Sequence, residues 1–256
     1  IESNFLKYGF AALETPSFEK SINIGSFLAD DEANPMSDVF SFKDDKEEIT
    51  LRYDLSSPLS RFVAQNYREL AFPFKRYAIG NVWRNEKSGN ARYREFTQAD
   101  VDIIGNTNKA QSDSEICNVI ASTLLDCGLK KSQFTISISN RKIIQGLIKE
   151  LKISDKNQEI KVIRAIDKLE RVGMKGVEDL LKKERVDASG AVTKGANLSN
   201  DQTSQILNFI KIKNIQELKK VLKNPISTEG INETEKLLEI ASLGNFYNQI
   251  RTNFTI

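Results

Sequence analysis

From residue 92 to residue 104 the chain alternates with period two, which predicts a β-strand with two dissimilar faces. One face carries Arg94, Phe96, Gln98, Asp100 and Asp102, and the other carries Tyr93, Glu95, Thr97, Ala99 and Val101. A second strand is predicted over roughly 74–85, joined to the first by a loop of Lys, Ser, Gly, Asn and Arg. If Arg84 ends the outgoing strand, its guanidinium joins the polar face. An arginine fork, a flat ring, an amide and carboxylates on one sheet face suit a nucleotide together with a small charged substrate. Such a face is poorly suited to a core.

The pattern elsewhere predicts a sheet-rich part interrupted by helices. Residues 1–20 read as a short helix broken at Gly9, then a strand ending at Thr15-Pro16. VFSF and ITLRYD read as strands, and Pro58 fits the first turn of a helix over PLSRFVAQNYREL. Ser112 and Glu115 form a capping-box signature for the next helix, with Ile116, Val119, Ile120 and Leu124 on one stripe and Gly128 as its stop. FTISIS, 134–139, reads as a strand. From about 142 to 232 the pattern turns helical and lysine-rich, with glycines as punctuation. ETEKLLEIASLG is a further helix, and the chain then re-enters a strand. The expected divisions are 1–141, 142–232 and 233–256.

Composition narrows the chemistry. The 256 residues carry a net charge of +2 and include no histidine, so Ser-His, Cys-His and His-metal catalysis are excluded for this chain's own side chains. Cys117 and Cys127 fall in one helical pattern with neither metal nor disulfide spacing, and their expected role is packing. No apolar run reaches membrane-span length, no signal peptide opens the chain, and a cytoplasmic setting is the expectation. The chain starts at Ile1 within a helical pattern and stops at Ile256 in a strand-like run, so it reads as a piece cut at both ends. Between Arg141 and Arg185 there are 13 Lys/Arg against 8 Asp/Glu, a local basic excess.

No phosphate-binding glycine motif stands in the required strand-to-helix setting. The arginine-rich loop with Lys87, Arg92 and Arg94 is either a nucleotide site or a charged, solvated hairpin, and spacing leaves both open. WRNE, followed by RYREF and then Q-x-x-x-D, resembles motif 2 of the class II aminoacyl-tRNA synthetases in the form used by the histidyl-tRNA synthetase family. YGFAALETPSFE is similar to motif 1, with Pro16 as its proline. LRYDLSSPLSRFVAQN is similar to the segment that holds the substrate amino group, and SNRKIIQG, AIDKLERVG and DASGAVTKGANL follow as later landmarks in order.

The resemblance implies an α+β fold, a mainly antiparallel sheet with flanking helices and a helical insertion. It implies activation of histidine by ATP, with Mg²⁺ accompanying the nucleotide, and transfer to tRNA(His) by a homodimer. Arg84 would bind the α-phosphate and the histidine carboxylate, Glu86 would lie near the adenine amino group, Phe96 would stack on adenine, and Arg92 would hold the γ-phosphate. Asp54, Ser56 and Gln98 would bind the α-amino group, and Asp102 would accept from the imidazole. Arg52, Asp54 and Ser56 are expected to share one strand face. Plainer roles stand beside these: Asp54 and Ser56 as helix caps, Asp100 as a salt-bridge partner, the lysine-rich insert as a solvated surface rather than a tRNA acceptor-stem contact. The family's Arg-Gly-Leu-x-Tyr-Tyr segment, motif 3 and anticodon-binding domain are not in this sequence, so these 256 residues alone are expected to show no histidine-dependent ATP–pyrophosphate exchange. A second family fits part of the pattern, the synthetase-like regulatory subunit of ATP phosphoribosyltransferase, a histidine sensor. The intact Arg84, Glu86, Arg92 and Phe96 set and the long insert favour the ligase.

Overall fold

The computed structural model describes residues 1–24, 39–44, 46–85, 89, 92–186 and 192–255. The chain divides into two compact units, Ile1–Asn108 and Lys109–Ile256. This is a division by packing, different in kind from the three expected functional divisions.

In the first unit, α1 (Glu2–Lys7) leads into β1 (Ala11–Ala12), which pairs parallel with β5 (Phe74–Trp83). Strand β5 pairs antiparallel over its whole length with β6 (Glu95–Ile104), from Phe74 opposite Ile104 to Trp83 opposite Glu95. A second, antiparallel sheet has the order β2 (Phe18–Lys20), β4 (Glu48–Leu51), β3 (Ser41–Lys43). A short α2 (Ser21–Ile24) follows β2, and α3 (Ser56–Asn66) follows β4. Arg61 of α3 grips the buried Glu19 of β2 with two bonds, Nε at 2.9 Å and Nη2 at 2.5 Å. Planar, bidentate pairing of this kind fixes orientation as well as distance.

Arg52 does not share a strand face with Asp54 and Ser56. Strand β4 stops at Leu51, and Ser56 already begins α3. The Arg52 side chain instead turns inward, its Nε donating to the Asn81 carbonyl at 2.8 Å and its Nη1 to the Thr15 carbonyl at 2.7 Å. Its own carbonyl accepts from Trp83 N–H at 3.1 Å. One buried guanidinium thus ties the β4–α3 connection to β5, and burial lowers its pKa from the ordinary arginine value.

The second unit is mostly helical. Helix α4 (Lys109–Asp126) begins a turn earlier than the Ser112/Glu115 signature implies and ends just before Gly128 as expected. A capping-box spacing within a continuous helix is simply an i, i+3 pair, and the sequence pattern cannot tell the two apart. Strand β7 (Ile136–Ile138) pairs parallel with β10 (Ile250–Thr252). Between them run α5 (Arg141–Glu150), α6 (Lys156–Asp167), α7 (Leu169–Leu181), the antiparallel pair β8 (Glu184–Val186) and β9 (Val192–Lys194), α8 (Asn200–Ile210), α9 (Ile215–Val221) and α10 (Pro225–Ser242). The β8–β9 pair is an addition to the helical expectation.

Caps define these helices: Asn140, Asp155, Asn214 and Asn224 each accept a backbone N–H of the first turn, and Ser199 with Gln202 forms a capping box. The core gathers Ile143, Leu147, Val162, Ile166, Leu181, Ile206, Phe209, Leu218 and Ile231, all essentially without solvent exposure. Helix α10 also joins α4 and the β7–β10 pair through Leu237, Ala241, Cys117, Ile136 and Ile250. Cys117 therefore packs, as expected. Helices α5 and α10 approach closely at Gly146, where an added Cβ would lie 2.9 Å from backbone atoms of Ser227.

Glu233 of α10 holds three parts of this unit. It accepts from Lys142 Nζ at 2.5 Å, Asn140 Nδ2 at 2.7 Å and Lys109 Nζ at 3.3 Å. The Lys142 bond, with help from Asn140 and Lys109, holds the carboxyl at about 2, against burial. A depressed carboxylate contributes stability above its unfolded pKa and loses that contribution as pH falls through the folded value. Glu233→Gln is therefore expected to lower the midpoint of urea unfolding at pH 7. The deficit should shrink below pH 4.5 and vanish near pH 2. A deficit that stays constant across that range would show that the charge carries none of it.

Candidate functional site

The paired strands β5 and β6 build the site. Their register places Arg76 opposite Asp102, Ala78 opposite Asp100, Gly80 opposite Gln98 and Val82 opposite Phe96. The expected polar face of β6 is thus continued on β5 by an arginine, two small residues and a valine. The small residues at 78 and 80 let other groups pack close on this face, Leu55 on Ala78 and the Arg52 guanidinium over Gly80. Gly80 is required on this same face, because a Cβ there would meet the pinned Arg52 guanidinium at 2.5 Å.

Arg76 is fully buried. Its Nη1 donates to Asp102 Oδ2 at 2.9 Å and its Nη2 to the Leu55 carbonyl at 2.9 Å, at the entry to α3. Its Nε is buried without a hydrogen-bond partner among the described residues. This residue was not among those the sequence put forward. In KRYAIGNVW a strand-register arginine looks like an ordinary surface position. The available signal was its phase, since it alternates with Ala78, Gly80, Val82 and Arg84.

Two carboxylates of β6 feel that cation, and a third, Asp54, acts on both of them. Asp102 is paired with it, yet burial still pushes the Asp102 carboxyl up, opposed by Arg76 and reinforced by Asp100. Burial likewise raises Asp100, opposed by Arg76 and reinforced by Asp54. Asp54 accepts the Ser57 N–H at 2.8 Å and so secures the first turn of α3, the plainer role foreseen for it. Ser56 is the first residue of α3, and its Oγ lies 3.5 Å from Asp100 Oδ2. Asp100 has no ion-pair partner among the described residues, contrary to the expected salt bridge. Gln98 Oε1 is buried and also without a hydrogen-bond partner among them. Asp54, Ser56, Gln98, Asp100 and Asp102 are therefore brought to one region. No group of three or more acidic or cysteine side chains that could hold a metal ion occurs among the described residues.

The other end of the face is aromatic and cationic. The Arg84 guanidinium lies 4.4 Å from the Tyr53 ring centre and 5.0 Å from that of Phe96, with Nε 3.3 Å from the Tyr53 carbonyl. Its N–H donates to the Arg94 carbonyl at 2.8 Å, which extends the strand pairing by one residue. Phe96 rests one side on Leu55, Ala78 and Val82. Arg92 pairs through its backbone with Gly89 across the loop. Glu86 and Lys87 lie outside the described residues. On the opposite face Asn81 links Glu95 and Thr97 at 2.8 and 3.0 Å, a polar ladder that stiffens the pair.

A mainly antiparallel α+β fold with this arginine- and carboxylate-bearing strand pair defines the class II aminoacyl-tRNA synthetase architecture. Solved structures agree. A histidyl-tRNA synthetase from Nostoc sp. PCC 7120 superimposes with a TM-score of 0.76 at 22% identity, covering all of this chain and 56% of that one. An ATP phosphoribosyltransferase regulatory subunit/histidyl-tRNA synthetase from Bacillus halodurans gives 0.78 at 19%, covering all of this chain and 62% of that one. At such identities these show the fold alone. The profile described as histidyl-tRNA synthetase matches residues 1–191, and the chain belongs to that family. The histidine–tRNA ligase of Pelagibacter ubique is 70% identical over 258 aligned positions, spanning the whole chain and 55% of that protein. That of Bartonella bacilliformis is 39% identical over 98% of the chain and 52% of its own length. The chain thus spans about half the length of the curated relatives it matches.

Removing Arg76 leaves Asp102 and the Leu55 carbonyl without their buried donor. Arg76→Met is expected to destabilise the first unit by about 3–5 kcal/mol. Combining it with Asp102→Asn should recover about 1–3 kcal/mol of that loss, because the two act as one pair. Denaturant titration of the four proteins of this cycle measures the coupling, and simple additivity would show that the pair is not a unit.

Proposed function

We propose that this chain is the part of a histidine–tRNA ligase that binds histidine and one side of ATP. The observation that carries the reading is the single β5–β6 face, aromatic and cationic at the Arg84 end and acidic at the Arg76 end. A zwitterionic amino acid and a polyphosphate need those two environments side by side. Arg84 neutralises the histidine carboxylate and the α-phosphate together, so that the carboxylate can approach phosphorus without the repulsion of two anions. Phe96, backed by Leu55, Ala78 and Val82, offers a flat surface to adenine, and Arg92 on the loop reaches the γ-phosphate. Glu86 is assigned to the adenine amino group by family pattern. Asp54, Ser56 and Gln98 take the α-amino group, and Asp102, held in place by Arg76, takes the imidazole N–H.

The substrate carboxylate is ionised at neutral pH, so activation needs no protein base and the absence of histidine from this chain is no obstacle to it. Mg²⁺ enters as the companion of ATP. The described residues have no acidic cluster that would hold it by themselves. The basic helical stretch 142–232 is assigned to the tRNA acceptor stem, whose phosphates a local lysine excess attracts. A homodimer formed through the motif 1 segment and a cytoplasmic setting complete the reading. No described helix is long and apolar enough to cross a membrane.

In the full-length protein, histidine-dependent ATP–pyrophosphate exchange is expected. Arg84→Ala should lower kcat/KM by about 10²–10³-fold. Phe96→Ala should raise KM for ATP by about tenfold through lost stacking, leaving KM for histidine within twofold. Histidine binding without any exchange would favour the regulatory-subunit alternative. Exchange driven by another amino acid would overturn the assignment.

A further inference from the structure

We propose that Asp100 is a substrate-binding residue, a second carboxylate that receives the α-ammonium of the amino acid together with Asp54, Gln98 and Ser56. The proposal rests on the histidine-binding reading above and adds a residue to it.

The three carboxylates of the site are satisfied to different degrees. Asp102 has a direct ion pair with Arg76 at 2.9 Å, and Asp54 has the Ser57 N–H at 2.8 Å. Asp100 is half-buried on the same face, has no ion pair among the described residues, and meets the Ser56 hydroxyl only at 3.5 Å. That distance is long for an O–H···O bond, whose usual value is about 2.7–2.8 Å. A carboxylate taken from water without a compensating donor costs stability, and proteins retain such groups where a ligand supplies the donor.

Its strand neighbour points the same way. Two residues along β6, on the same face, Gln98 Oε1 is buried with no donor among the described residues. Adjacent acceptors call for a ligand that is all donor and positively charged. An ammonium has three N–H donors and no acceptor. If Ser56 gives its one proton to Asp100, its lone pairs remain available to share an ammonium N–H with the carboxylates.

Position separates the ammonium from the imidazole. An α-ammonium and an α-carboxylate leave the same carbon, so their protein partners must be neighbours. Asp100 lies between the two arginines, feeling the charge of Arg76 most, then that of Asp54, and also that of Arg84, the proposed carboxylate partner. Asp102 lies further along the strand and is bound to Arg76, toward the end of the face where the side chain would reach. A metal ion is a poorer occupant, because these acidic groups are not gathered closely enough to hold one.

The test compares wild-type and Asp100→Asn full-length enzyme by calorimetric binding of three ligands, with thermal unfolding alongside. The ligands are histidine, histamine, which keeps the amine and lacks the carboxylate, and 3-(imidazol-4-yl)propionate, which keeps the carboxylate and lacks the amine. The variant is expected to bind histidine and histamine at least tenfold more weakly and the propionate within twofold of wild type. Its Tm should be unchanged or higher, since a costly buried charge is gone. Equal weakening of all three ligands would place Asp100 at the imidazole or in a purely structural role and overturn the proposal. Unchanged histidine affinity, or a lowered Tm with selective loss absent, would also overturn it. Failure of wild-type enzyme to bind histidine would instead defeat the functional reading beneath it.

Discussion

One guanidinium sets the geometry of the whole site. Arg76 is fully buried, yet it bonds both the far end of β6, through Asp102, and the entry to α3, through the Leu55 carbonyl. Those two elements carry the polar groups of the site, Gln98, Asp100 and Asp102 on one and Asp54 and Ser56 on the other. Burying an unpaired cation costs several kcal/mol, so the arginine enforces both contacts. Arg52 does the same further along β5, packing over Gly80 and bonding the Asn81 and Thr15 carbonyls. Two buried arginines thus act as rivets between strand and loop, and the functional side chains need little rigidity of their own.

The parts of this arrangement that the sequence disclosed are those encoded by local periodicity. Period-two alternation through residues 93–102 marked the strand and sorted its faces, because every residue there obeys one rule. The helix stop at Gly128 and the start at Pro58 were legible for the same reason, each being a local signal. Arg76 was not, because its meaning depends on what lies opposite it, and register between strands is a non-local fact. Arg52 was read with the wrong partners: an i, i+2, i+4 spacing implies one face only while the strand lasts, and β4 ends at Leu51. The β8–β9 pair escaped because three-residue strands leave almost no periodic signal among lysines and glycines.

The two units use charge differently. In the second unit Glu233 sits among Lys109, Asn140 and Lys142, and its donors more than offset the cost of partial burial, which draws its pKa down. In the first unit Asp100 and Asp102 are raised, since burial outweighs the arginines near them. The same residue chemistry therefore yields a brace in one place and an unsatisfied acceptor in the other, and the number of donors decides which.

That difference bears on why a protein tolerates the second arrangement at all. A carboxylate whose pKa is raised on folding works against the folded state at neutral pH, and a neutral isostere would relieve the cost. Evolution of stability alone has no use for such a group on a sheet face next to another carboxylate. A ligand that arrives with its own positive charge changes the balance, since it supplies the missing donors only when bound. The cost to the free protein then becomes selectivity: ligands without that charge gain nothing from the acidic end of the face. On the proposed reading Arg84, stacked on Tyr53 and Phe96 at the other end, would select for negative charge in the same manner. A face acidic at one end and cationic at the other suits the proposed zwitterion, and the spacing along β6 is set by the two-residue repeat of the strand itself.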